Sequence, residues 1–127
     1  MAVVCLDLDG TLCRVVKHSP PLDRTLCIGY PYYNCKPFWY SKPLLAFLTA
    51  RGHKIIIYTA RGMGRHQNDA QKAYDEFYKV TRDQLDEWGF KYDMLLLGKP
   101  HYDVIIDDKA FGFRFASKIL NAISPTV

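Results

Sequence analysis

Four short apolar runs in this chain each end at once in polar residues, and that arrangement constrains the fold more than any other feature. Val3–Leu8 is apolar except for Asp7 and leads into Asp9-Gly10-Thr11. Lys54–Thr59 contains Ile55, Ile56 and Ile57 and leads into Ala60-Arg61-Gly62. Met94–Leu97 is followed by Gly98-Lys99-Pro100, and Val104–Ile106 by Asp107-Asp108-Lys109. Near-continuous apolar runs rich in branched residues and bounded by turn formers are the pattern of strands buried on both faces of a parallel sheet.

Helical patterns fall between these runs. Ser41 is placed to cap a helix through Leu44, Leu45, Phe47 and Leu48, which Gly52 would stop. A second pattern runs from about Gln67 through Ala70, Ala73, Tyr74, Phe77 and Tyr78. Thr81 and Gln84 have the spacing of a capping box, so a break or a new helix is expected there, with Leu85 and Trp88 continuing the stripe to Gly89. A last helix is expected from about residue 114 to 123. Strands alternating with helices predict parallel pairing and right-handed crossovers, hence an α/β/α three-layer sandwich around a mainly parallel, Rossmann-like sheet. At 127 residues there is room for one domain, 1–127, and one core. Residues 13–40, with Pro20, Pro21, Pro31 and Pro37, hold no sustained period and form a short flap-like insertion.

In an open parallel sheet the loops at the carboxyl ends of the strands converge on one crevice. Asp7, Asp9, Asp107 and Asp108 would then bring negative charge together, which is unfavourable without compensation. Lys99 and a divalent cation would supply it, and an oxygen-only ligand set favours a hard ion such as Mg²⁺, especially when a phosphate shares its coordination. A carboxylate nucleophile can split phosphoryl transfer into two easier displacements. A second carboxyl can protonate the leaving alcohol and later activate water. Thr59, the adjoining Ala60 and Lys99 are candidate phosphate contacts. Arg61, next to them, is a candidate substrate contact; Arg14, Lys17, His18, Arg65 and His66 are further candidates, each read first as a solvated surface residue.

These residues, in this order, resemble the haloacid dehalogenase-like superfamily of phosphatases. Its four motifs read here as Asp7-Leu8-Asp9-Gly10-Thr11, Thr59, Lys99 and Asp107-Asp108. The resemblance implies Asp7 as nucleophile and Asp9 as general acid/base. It also implies Mg²⁺ on Asp7, the backbone carbonyl of Asp9 and Asp107, with Asp108 contributing directly or through water. The segments Ile57-Tyr58-Thr59-Ala60-Arg61-Gly62-Met63, Gln84-Leu85-Asp86-Glu87-Trp88-Gly89 and Gly98-Lys99-Pro100-His101-Tyr102-Asp103 are similar to a narrower group, the short capless phosphatases linked to capsular or surface-polysaccharide biosynthesis. No connection here is long enough for a sizeable cap domain, so an open crevice is expected, its specificity left to the flap, a second copy of the chain or a large substrate.

Tyr30, Tyr32, Tyr33, Phe38, Trp39 and Tyr40 cluster in the flap and are read mainly as local packing, with stacking on a sugar or base, or an interface, as the other uses. Cys5 reads as a buried small hydrophobe; Cys13, His18, Cys27 and Cys35 are either reduced thiols or the donors of a zinc site, though no Cys-x-x-Cys pair is present. A formal charge of +4 suits an anionic substrate, but the basic residues are dispersed and do not form a nucleic-acid tail. No apolar run is long enough to span a bilayer, no basic leader precedes Val3, and a cytoplasmic location is expected. The leading functional expectation is hydrolysis of a small phosphorylated metabolite such as a sugar-pathway intermediate. The terminal phosphate of a nucleotide or nucleic acid, a phosphotransferase, and a non-catalytic regulatory domain are the alternatives.

Overall fold

The computed structural model describes residues 1–15 and 32–110. Three strands form a parallel sheet in the order β1-β4-β5: Val3–Leu6, Lys54–Thr59 and Met94–Leu97. The central strand, β4, buries Ile55, Ile57 and Thr59 in strict alternation, as a strand with helical cover on one face requires. A small antiparallel ribbon pairs β2 (Cys13–Arg14) with β3 (Lys36–Pro37). Helix α1 (Ser41–Ala50) packs on β4, and α2 (Ala70–Glu87) packs on β5. The expected α/β class and parallel sheet are therefore present. Leu8, Leu12, Leu45, Ile55, Ile57 and Leu85 are fully buried in one cluster, each contributing about 1.5–3 kcal/mol relative to exposure.

Local chemistry moves several element boundaries. β1 ends at Leu6 rather than Leu8, and the turn that follows starts at Gly10, which holds φ 86°. Ser41 does not cap α1. It is the first helical residue, Tyr40 is the cap, and the Ser41 hydroxyl donates instead to the Leu12 carbonyl at 2.6 Å. α2 starts at Ala70 because Gln67 and Asn68 hold left-handed backbone (φ 55° and 62°), and Asp69 then caps the helix by accepting from the Gln71 and Lys72 amides. The break expected at Thr81 does not occur: α2 is continuous, and Thr81 and Gln84 face inward, Thr81 fully buried and Gln84 nearly so.

Two further expectations change. Cys5 is exposed, because β1 is an edge strand among the described residues. Val104–Ile106 pairs with no described strand, and Val104 is 75% and Ile106 80% exposed. The helix expected at about residues 114 to 123, which would cover such a run, lies outside the described residues. No helix among the described residues is long and apolar enough to cross a membrane.

Candidate active site

A single carbonyl shapes the loop after β1. Buried Leu8 accepts amide hydrogen bonds from Thr11 (3.1 Å), Leu12 (2.8 Å) and Cys13 (3.2 Å). Such a tight reversal requires the left-handed conformation of Gly10, φ +86°, which a side chain would penalise. The turn leaves Asp7 at the strand end with its side chain 39% exposed. Asp7 Oδ2 accepts from the Thr11 hydroxyl at 3.4 Å, and Oδ1 lies 3.5 Å from Lys99 Nζ.

Lys99 comes from the end of β5, two strands away from Asp7, and its amide donates to the carbonyl of Thr59 at the end of β4. Burial by itself would lower the Lys99 ammonium, but hydrogen bonding to Tyr102 and the Asp7 carboxylate outweigh it, so its pKa is raised and the group stays charged at neutral pH. Thr59 is buried, and its hydroxyl oxygen accepts the Arg61 amide at 3.1 Å. Asp7, Asp9, Thr59, Ala60 and Lys99 thus line one crevice of about 390 Å³, with His101 and Tyr102 on its rim. Asn68 braces that rim, its side-chain oxygen accepting from the His101 amide at 2.9 Å.

Asp9 has a different environment. Arg61 holds it through two parallel bonds, Nε to Oδ2 and Nη2 to Oδ1, both 2.9 Å, the bidentate geometry that a planar guanidinium favours. Arg61 is 1% exposed. Its Nη1 donates to Gln84 Oε1 at 2.7 Å and Thr81 Oγ1 at 3.1 Å, and the Tyr32 ring lies 4.7 Å from the guanidinium carbon. Burial alone would depress this guanidinium, and Asp9 reverses the sign, so its pKa is raised. Its donors are committed to protein groups, so Arg61 supports Asp9; it also lines the crevice beside Thr59, where the substrate contact was expected. The close approach of α2 that makes this possible depends on Gly62 (φ +80°), where a Cβ would fall 2.4 Å from the Phe77 ring. Arg65 and His66, candidates for substrate contact read first as surface residues, both engage Glu76 of α2.

The thiols of Cys13 and Cys35 sit against the same pair. Cys13 Sγ lies 3.3 Å and Cys35 Sγ 3.7 Å from Asp9 Oδ1. Ligand atoms of Asp9, Cys13 and Cys35 all fall within 4.8 Å of one another, so this is a possible metal-binding group. Its electrostatics are those of a cation site already filled by protein, because Arg61 Nη2 reaches Asp9 and both sulfurs. Contact with Cys35, then burial, pushes the Cys13 thiol up, and the same contact lowers Cys35. His18 and Cys27 lie outside the described residues. In the flap, Phe38 and Tyr40 stack on each other and the Tyr40 hydroxyl holds the Thr11 carbonyl at 2.5 Å, whereas Trp39 is 87% exposed.

Asp107 and Asp108 are exposed and do not line the crevice. Asp107 Oδ1 accepts the Lys109 amide at 2.9 Å, and that bond, with a contact to Asp108, lowers its pKa. Of the expected Mg²⁺ carboxylates, Asp7 alone thus faces the crevice without a committed cationic clamp. Its oxygens, like the Asp9 carbonyl and the exposed Asp107 and Asp108, are hard donors of the kind Mg²⁺ takes.

Fold and crevice together define a small α/β protein with an acid–lysine site at the carboxyl ends of a parallel sheet. No family model and no curated protein matches the chain. Solved structures do. The chain is 29% identical to a structural-genomics target from Vibrio cholerae, with a TM-score of 0.69 over 98% of this chain and 95% of that one. It also matches a chain of the Pnkp1/Rnl/Hen1 complex at 19% identity and a TM-score of 0.53, over 95% of this chain but 33% of that one. A second structure of that RNA repair complex matches equally, over 96% of this chain and 31% of the other. At that identity, and over a third of the larger chain, the likeness establishes the fold.

Proposed function

We propose that this chain is a magnesium-dependent phosphomonoesterase of the haloacid dehalogenase-like superfamily, acting in the cytoplasm on a small phosphorylated metabolite. The observation that carries the reading is the meeting of Asp7, Thr59 and Lys99, from the ends of three parallel strands, with Asp9 held beside them. In this reading an Asp7 oxygen attacks phosphorus while the bond to the leaving alcohol breaks, and Asp9 gives that alcohol its proton. Water then cleaves the aspartyl-phosphate, with Asp9 taking the proton back. Lys99 and the Thr59 hydroxyl receive the non-bridging oxygens. Mg²⁺, held by Asp7, the Asp9 carbonyl and Asp107, with Asp108 directly or through water, would offset charge on the transferred group.

The same reading completes the fold as a three-layer sandwich. Val104–Ile106 would pair along the edge of β1 that no described strand covers and carry Asp107 and Asp108 to Asp7, which would remove a highly exposed apolar run from water. The crevice is open, so a second copy of the chain has room to cover it. Membership of a relative in an RNA repair complex favours one second reading, removal of a terminal phosphate from RNA or a nucleotide.

The test is phosphate release from sugar phosphates, nucleotides and 3′- or 5′-phosphorylated oligonucleotides, each with Mg²⁺ and with EDTA. Release abolished by EDTA is expected, greatest on a small ester. Preference for oligonucleotides, with a KM that rises steeply with salt, selects the second reading. Silence on every ester from folded protein turns the assignment toward a transferase or a non-catalytic domain. Asp9→Asn is expected to lower turnover by roughly 10²–10⁴-fold; a loss below tenfold would remove Asp9 from proton transfer.

A further inference from the structure

We propose that Gln84 and Tyr32 are positioning residues for proton transfer at Asp9, acting through Arg61; this rests on the phosphatase reading of the crevice. Neither side chain bonds to Asp9. Gln84 instead accepts from Arg61 Nη1 and donates from Nε2 to the Tyr32 carbonyl at 2.5 Å, while the Tyr32 ring lies against the guanidinium. Helix α2 and the end of the flap thereby fix the plane of Arg61. Arg61 in turn fixes the plane of the Asp9 carboxylate, since two parallel bonds leave it no rotation about its last torsion.

The clamp also distinguishes the two oxygens of Asp9. Oδ1 faces Arg61 Nη2 and the thiols of Cys13 and Cys35, so its lone pairs are taken. Oδ2 meets Arg61 Nε and no other described donor. With the Asp9 side chain 23% exposed and lining the crevice, Oδ2 is the oxygen whose second lone pair meets no described donor. Proton transfer therefore runs through Oδ2, and its direction depends on the Arg61 plane.

This arrangement makes a kinetic signature that loose packing does not. An alkyl alcohol needs a proton to depart, whereas p-nitrophenolate departs without one. For Gln84→Met and Tyr32→Leu, kcat/KM on β-glycerophosphate should fall by roughly 10- to 100-fold, part of the 10²–10⁴ that a well-placed proton donor supplies. On p-nitrophenyl phosphate, kcat/KM should change by less than about threefold, since that ratio covers steps only through phosphoryl transfer. Tyr32→Phe, which keeps the ring over Arg61, should restore the alkyl ester. Equal losses on both esters, or none on either, would overturn the positioning role. The two substitutions lie on different elements, so one remains decisive if the other fails to fold. Wild-type protein inactive on both esters would instead overturn the phosphatase reading itself.

Discussion

Asp7→Asn is expected to abolish phosphate release, by on the order of 10⁴-fold or more, the scale of removing a nucleophile, while leaving the fold intact. The side chain sits at the mouth of the crevice, 39% exposed, with Lys99 at 3.5 Å and the Thr11 hydroxyl at 3.4 Å as its polar partners. An amide fits the same space and keeps an acceptor for Thr11, so the structural loss is the Lys99 attraction, about 1 kcal/mol or less for a pair this open to water. Chemically the change is complete, because an amide oxygen is a poor nucleophile for phosphorus. Thermal unfolding and phosphate release measured on one preparation separate the two effects. A folded Asn variant retaining more than a tenth of the wild-type rate would exclude the covalent route.

Arg61→Met should show the reverse balance, with the larger effect on stability. The methionine fills much of the same volume but removes the buried donors that satisfy Asp9, Thr81 and Gln84. Breaking a buried ion pair from one side costs about 3–5 kcal/mol, since the remaining charge has no partner. Partial exposure of Asp9 places this pair near the lower end. Total stability is typically about 5–15 kcal/mol, so a fall in the melting midpoint of roughly 10 °C is expected. Circular dichroism melts read it directly. A loss under about 1 kcal/mol would mean that Asp9 is solvated and Arg61 unclamped in solution, leaving Gln84 and Tyr32 no positioning role.

The two substitutions describe one crevice built from two kinds of acid. Asp7 is open, lightly held and free to react. Asp9 is clamped by a buried cation that is itself held by α2 and the flap. Such a division matches their proposed work, since a nucleophile needs access whereas a proton donor needs aim.

The α/β class, the parallel strands at Val3, Lys54 and Met94, the stop at Gly89 and the convergence of Asp7, Thr59 and Lys99 were legible in the sequence. Each follows from local chemistry: apolar run lengths, turn residues, and the rule that loops at the carboxyl ends of parallel strands meet. For Thr81 and Gln84 the spacing offered a capping box, whereas both face inward from a continuous helix. Their partner, Arg61, is 20 and 23 residues away, and Arg61 finds Asp9 across 52 residues. A polar residue on an inward face has no local mark of the group that will satisfy it, so spacing alone assigned Arg61 to the substrate and Tyr32 to local packing. Tertiary structure decided these contacts, because a long buried cation must find its acceptors wherever the chain brings them within hydrogen-bond reach.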